Sequence, residues 1–258
     1  MSPTFDLTHL FSLDSLVSLL TLSVLEIVLG IDNIIFVAIV TGKLPKENQR
    51  KARTLGLMLA LLLRIGLLVS LTWIISFIQP LFYVTGNFPF IAFLQPDAEN
   101  IFYVCSWRDI ILFGGGIFLL VSSIREIRTK ITGKGEYHVT AQTPKSVRSA
   151  IAQIMLIDIV FSFDSILTAI GLANNLTVMI LAVTLAMIAM ISFSGAVSGF
   201  INNHPTVKML ALAFLLLIAV VLIADGLHYH IDKKYIYFSL AFSLVVELLN
   251  LQMKKKTV

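Results

Sequence analysis

Seven long apolar runs, separated by short polar stretches, account for most of the chain: Leu16 to Val40, Arg53 to Ile78, Asp109 to Ile127, Ala150 to Ala173, Leu176 to Phe200, Val207 to Ala224 and Tyr235 to Leu251. Each approaches or exceeds the roughly 20 residues that carry an α-helix across a bilayer. The pattern predicts an all-α polytopic membrane protein with seven transmembrane helices. The third run holds Gly114, Gly115 and Gly116, which weaken an isolated helix but let helices approach closely inside a membrane. Composition agrees: the 258 residues are 57% hydrophobic and 13% charged, with a mean hydropathy of +0.92, too apolar for a soluble globule of this length. No basic region precedes the first run, which itself contains Glu26 and Asp32. It is therefore expected to stay as a membrane helix and not to be cleaved as a signal.

Two runs carry the same polar pattern, SVLEIVLGIDNIIFVAI from Ser23 and IMLIDIVFSFDSILTAI from Ile154. In register, Glu26 aligns with Asp158, Gly30 with Ser162, Asp32 with Asp164 and Asn33 with Ser165. A carboxylate at bilayer depth costs about 2.5 to 3.5 kcal/mol on insertion scales, so four of them point to a working site. An odd number of crossings separates the two copies, which inverts the second relative to the first. The expected plan is a single transmembrane domain over 1–258, with a three-helix repeat in 1–127, an inverted three-helix repeat in 128–231, and a seventh helix with a basic tail in 232–258. Transporters built this way hold their substrate near the midplane, at the repeat interface.

Charge sets the orientation. Lys43, Lys46, Arg50, Lys51 and Arg53, then Arg125 to Arg148, Lys208, and Lys254 to Lys256 all fall on one side of this topology. Asp6, Asp14, Asp97 and Glu99 fall on the other, with Arg108, Lys233 and Lys234 as its basic residues. Lys and Arg accumulate in cytoplasmic loops, so the N-terminus is expected outside and the C-terminus inside. This asymmetry accounts for the net charge of +4 without nucleic-acid binding. Cys105 is the single cysteine, which excludes an internal disulfide or a cysteine-based metal site. The connections near 79–108 and 128–148 are too short for further domains; the first, rich in Pro and aromatics, is expected to be a partly embedded cap.

On an ideal helix, residues six apart lie about 120° apart in projection and about 9 Å apart along the axis. Glu26 and Asp32 therefore do not share a face, whereas Glu26 lies over Asn33, and Asp158 over Ser165 with Ser162 a turn above. Either the helices stay regular and present a wide polar sector, or they loosen near Gly30 and Ser162 and bring carboxylates and carbonyls together. Carboxylates, the Asn33 amide and the Ser162 and Ser165 hydroxyls are hard oxygen donors that suit Mn²⁺, Mg²⁺ or Ca²⁺ better than Cu⁺ or Zn²⁺. The histidines lie in tails, loops or helix ends, and Met179, Met187 and Met190 read as packing. Four ionised acids exceed the charge of one divalent ion, so some are expected to be protonated or paired when the site is empty, which points to proton coupling. Arg64 is the one basic residue deep in an apolar run, and is expected to face the interior as a counter-ion to an acid. Asp225 near a helix end, and Glu247 with Asn250, are further pathway candidates.

The stretches VLEIVLGIDNIIFVAI with KLP, RKARTLGL, FGGGIFLL, QIMLIDIVFSFDS and NNHPTV together resemble the TerC-like integral membrane proteins. The resemblance spans nearly the whole chain and is strongest to short stand-alone bacterial members. It implies an inner-membrane protein of the LysE-type transporter superfamily, linked to tellurium-ion resistance and to Mn²⁺ export. It carries Glu26, Asp32, Asn33, Asp158, Ser162 and Asp164 over as polar motif positions, while Ser165 stands where some relatives have a small apolar residue. The reading that follows is a secondary transporter exporting a divalent cation, with no resident cofactor and no enzymatic role. An intramembrane aspartyl hydrolase is the alternative, although the G-x-G-D pattern of such proteases is missing. A retinal photosensor lacks its lysine in the seventh segment, and a small amino-acid exporter fits four acids poorly.

Overall fold

A computed structural model of the chain describes residues 13–70, 80–85, 102–132, 146–170, 175–229 and 231–256. The first run forms two helices, α1 (Leu13–Leu29) and α2 (Ile31–Thr41). It is followed by α3 (Lys46–Val69), β1 (Pro80–Thr85), β2 (Phe102–Ser106), α4 (Trp107–Thr132), α5 (Val147–Ile170), α6 (Leu176–Asn203), α7 (Pro205–Gly226) and α8 (Lys233–Lys256). Counting α1 and α2 as one span gives seven helices among the described residues, as the apolar runs predict. Six of these are long and apolar enough to cross a membrane. The seventh is α5, 24 residues long, which carries the second acidic motif.

The ends of these helices follow local chemistry. Asn175 caps α6 by accepting from the Thr177 backbone N–H at 2.9 Å, and Pro205 opens α7 in the position where its missing N–H costs nothing. His204 alone links α6 to α7. After α7, His228 adopts φ 64°, the left-handed position more often held by glycine at a helix C-terminus.

The closest helix packing is between α4 and α7, α3 and α5, and α1–α2 and α6. The span α1–α2 also touches α5 and α7, and α3 touches α6. The helix α8 leans mainly on α7 and leaves Phe238, Phe242, Val245 and Leu249 exposed, a face suited to lipid. At the other end of the bundle Lys43 pairs with Glu126 at 2.8 Å, tying the end of α2's loop to α4.

The glycine run of α4 does what close packing requires. A Cβ on Gly115 would fall 2.4 Å from Val160 of α5, and one on Gly116 would fall 3.0 Å from the Ala219 carbonyl of α7, while Gly114 faces open space. Gly116→Val is therefore expected to lower the melting temperature of the detergent-solubilised protein, by an overpacking penalty of about 1 to 3 kcal/mol. Gly114→Ala should leave it unchanged, and equal melting of both variants would contradict this packing.

Two features depart from a purely helical reading. Residues 80–85 and 102–106 pair as a short antiparallel ladder, with Phe82 opposite Cys105 and Thr85 opposite Phe102, an addition to the all-α bundle. The β-branched and aromatic side chains of PLFYVT and FYVCS favour extended pairing. The rest of the expected cap, 86–101, and the inner loop 133–145 lie outside the described residues. The second departure is the interruption at Gly30, which has φ −88° and ψ 0°. Its N–H still donates to the Glu26 carbonyl at 2.8 Å, and its carbonyl accepts from Ile34 at 3.1 Å, so the helix loosens without parting. Met190 of α6 fills the space where a side chain would stand, with Sδ 2.4 Å from an ideal Cβ. The equivalent position in α5, Ser162, stays helical. Of the two alternatives, loosening holds at the first motif and a regular helix at the second.

Candidate functional site

The motif residues of α1, α2 and α5 meet around Arg64, which α3 delivers to the centre of the bundle. The guanidinium Nη1 donates to Glu26 Oε2 at 2.9 Å, Nη2 donates to Asp158 Oδ1 at 2.9 Å, and Nε reaches both Asp158 oxygens at 3.2 and 3.3 Å. The planar fork thus holds Asp158 at two nitrogens and still has a third for Glu26, which an ammonium could not do with the same geometry. Asp158 also accepts from Asn33 Nδ2 at 3.1 Å and from Ser162 Oγ at 3.2 Å. Glu26, Arg64 and Asp158 are each no more than 3% exposed. A buried ion cluster of this kind holds only while every charge keeps its partner, because the desolvation cost is offset by those bonds.

One atom in the cluster is left over. Asn33 Oδ1 is buried and has no hydrogen-bond partner among the described residues, although its own amide nitrogen is committed to Asp158. Turning the amide over would set oxygen against carboxylate, so the orientation is fixed by chemistry. A buried acceptor without a partner costs about 1 to 3 kcal/mol, and a cation or a water donor would satisfy it.

Beside the cluster lies a cavity of about 20 Å³ lined by Glu26, Leu29, Asp32, Arg64, Phe161, Ser165 and Tyr237. That is room for one water-sized group. Asp32 faces it and accepts long hydrogen bonds from the Tyr237 hydroxyl at 3.4 and 3.5 Å. Ser165 lines it too, with its hydroxyl donating to the Ser162 carbonyl at 3.3 Å. Tyr237 and Leu29 form the wall between this cavity and an apolar groove on the α1 side, bordered by Leu20, Val24, Val28 and Lys234.

The expected residues divide clearly. Glu26, Asp32, Asn33, Asp158, Ser162, Ser165 and Arg64 come together. Asp164 lies within α5, but its side chain is outside the described ones. Asp225, a pathway candidate near the end of α7, is buried, 3% exposed. Its neighbour Gly226 lets the end of α7 press against the Asp109 carbonyl and Phe113 of α4. Glu247 and Asn250 are half-buried on α8; Glu247 is ten residues beyond Tyr237, about 15 Å along the helix, and so outside the cluster. Met179, Met187 and Met190 are buried core residues. His9, His138 and His230 lie outside the described residues.

Two features had no place in the expected site. Tyr237 sits in the aromatic start of α8, where KKYIYFSL reads as an interfacial anchor and nothing marks one tyrosine as inward-facing. At the start of α4, Ser106 and Asp109 form a capping box: the Ser106 N–H and hydroxyl donate to Asp109 Oδ2 at 2.8 and 2.6 Å. His228 Nε2 lies 3.3 Å from the same oxygen. The S-x-x-D spacing before an apolar run was the available signal.

A bundle of membrane-length helices with an ionic cluster at its centre defines a polytopic integral membrane protein, and the comparisons agree with that class. The chain belongs to the integral membrane protein TerC family, whose model matches residues 11–257. It is 44% identical over 239 residues to a UPF0053 protein of Haemophilus influenzae, covering 93% of this chain and 94% of that protein. It is 42% identical over 236 residues to the UPF0053 inner membrane protein YgdQ of Escherichia coli, covering 92% of each. The UPF0053 inner membrane protein YoaE of Escherichia coli is 41% identical over 232 residues, covering 90% of this chain and 42% of YoaE. No solved structure matches the chain. The protein is a multi-pass protein of the inner membrane.

Proposed function

We propose that the protein is a secondary transporter that exports a divalent metal cation, Mn²⁺ first among them, through the acidic site between α1–α2, α3 and α5. The observation that carries this reading is the buried Asn33 Oδ1, without a partner among the described residues, on an amide bonded to Asp158 near a cavity that Glu26 and Asp32 help to line. An all-oxygen donor set at bilayer depth suits a hard divalent ion. Asp158 is gripped by Arg64, and no second aspartate among the described side chains pairs with it, which speaks against the shared-proton chemistry of an aspartyl hydrolase.

The inverted-repeat plan belongs to the same proposal. Exchanging the first three spans with the second three turns the α1–α2 contact with α6 into the α5 contact with α3, and both are present. The α4–α5 contact likewise becomes the α7–α2 contact, also present. The functional site lies where the two halves meet, as alternating access requires, with α8 as an addition and protons as the coupling ion. Tellurium-ion resistance is then an indirect consequence of altered metal balance.

Elemental analysis of cells with and without the protein, across Mn, Mg, Ca, Fe and Zn, tests the substrate class. Cells lacking it should accumulate Mn after a manganese load; unchanged levels of all five metals would refute the proposal. The orientation is tested separately. A reporter active only in the cytoplasm and fused after Val258 should be active, since Lys254 to Lys256 close the chain. A stable but inactive fusion would overturn both the orientation and the inverted arrangement derived from it.

A further inference from the structure

Arg64 does more than balance charge if the site is read as a carrier. Its guanidinium is almost fully buried, and its bonds at 2.9 Å to both Glu26 and Asp158 fill the gap between these two register-equivalent acids. A divalent ion held by both acids would have to stand where the guanidinium now stands. The water-sized cavity next to it is lined by Asp32 and Ser165 as well as by Arg64 itself, so a guanidinium displaced from the two acids borders a third acid, toward which it turns as the cavity widens.

We propose that Arg64 is a tethered substitute for the transported ion: it occupies the position between Glu26 and Asp158 when the carrier is empty and gives it up when a divalent cation binds. This rests on the transport reading above and adds the reason for net export. Facing carboxylates left without a cation in a low-dielectric interior are held back from rearrangement by their desolvation and mutual repulsion. With Arg64 in place, the empty site is closed and compensated, so it reorients without carrying a divalent cation back. Without it, the carrier reorients only when loaded.

The test uses the full chain in proteoliposomes at matched amounts of folded protein, with Mn²⁺ as the probe. Two fluxes are read: net efflux into metal-free medium, and exchange of labelled for unlabelled Mn²⁺ present on both sides. Wild type should show both. Arg64→Gln should keep exchange and lose net efflux by tenfold or more, and Arg64→Lys, which retains a tethered cation, should keep a reduced net efflux. Loss of both fluxes in folded Arg64→Gln, or net efflux at the wild-type rate, would overturn the proposal. Wild type provides a second reading that holds even if Arg64→Gln yields no folded protein. Labelling of Arg64 by 2,3-butanedione, read by peptide mass spectrometry, should rise severalfold when Mn²⁺ is added, because the guanidinium is released. Labelling that is unchanged or falls with Mn²⁺ would show that Arg64 is a fixed structural counter-ion. Absence of both fluxes in wild type would refute the transport reading itself, and only in that case does this inference fall with it.

Discussion

Arg64→Leu is expected to be the most damaging single substitution in the bundle, with little folded protein recovered from membranes. Leucine removes four donor contacts and leaves Glu26 and Asp158 facing each other, buried and without a cation. Breaking a buried pair by deleting one partner costs about 3 to 5 kcal/mol, a large part of the 5 to 15 kcal/mol that typically separates folded from unfolded states. Arg64→Lys should be milder, since it keeps the charge and loses the fork that serves two acids at once. Pairing Arg64→Leu with Asp158→Asn should recover more folded protein than pairing it with Glu26→Gln, because Asp158 takes three of the four contacts. Size-exclusion profiles and melting of the detergent-solubilised variants read this directly. A monodisperse Arg64→Leu protein with wild-type melting would show that the cluster contributes nothing to the fold.

The second large effect falls on transport with the fold preserved. Asp32 lies at the edge of the cluster, on the cavity, held by long hydrogen bonds from Tyr237. Asp32→Asn keeps its size and removes its charge, so insertion and melting should change little. Losing one partner of a buried charge contact costs about 2 to 5 kcal/mol, which is a fall of about 30-fold or more in ion affinity. Asp164→Asn is expected to behave the same way, on its register with Asp32. Transport at wild-type rates in both variants would exclude a site shared by the two motifs.

The reach of the sequence reading follows from the physics of each feature. Acids inside apolar runs are legible because the bilayer makes them costly, and Glu26, Asp32 and Asp158 do lie together in the interior. Arg64 was legible as a counter-ion for the same reason, but its two partners depend on how α3 crosses α1 and α5, which periodicity does not encode. The sequence left open whether the helices stay regular or loosen at Gly30 and Ser162. Loosening occurs at Gly30, where Met190 packs into the space a side chain would fill, whereas Ser162 keeps a hydroxyl that bonds Asp158 one turn back within an intact helix. Asp225 is buried where the end of α7 packs closely on α4, a tertiary fact that its place near a helix end does not encode. Tyr237 was hidden among aromatics that suit a membrane interface equally well.

The central claim is that the residues around Arg64 carry a divalent cation across the membrane, and purified protein in Mn²⁺-loaded proteoliposomes tests it with the fewest intervening steps. The account predicts saturable Mn²⁺ efflux that exceeds protein-free liposomes and disappears in folded Asp32→Asn. Efflux no faster than in protein-free liposomes, or efflux unaffected by Asp32→Asn, would contradict it.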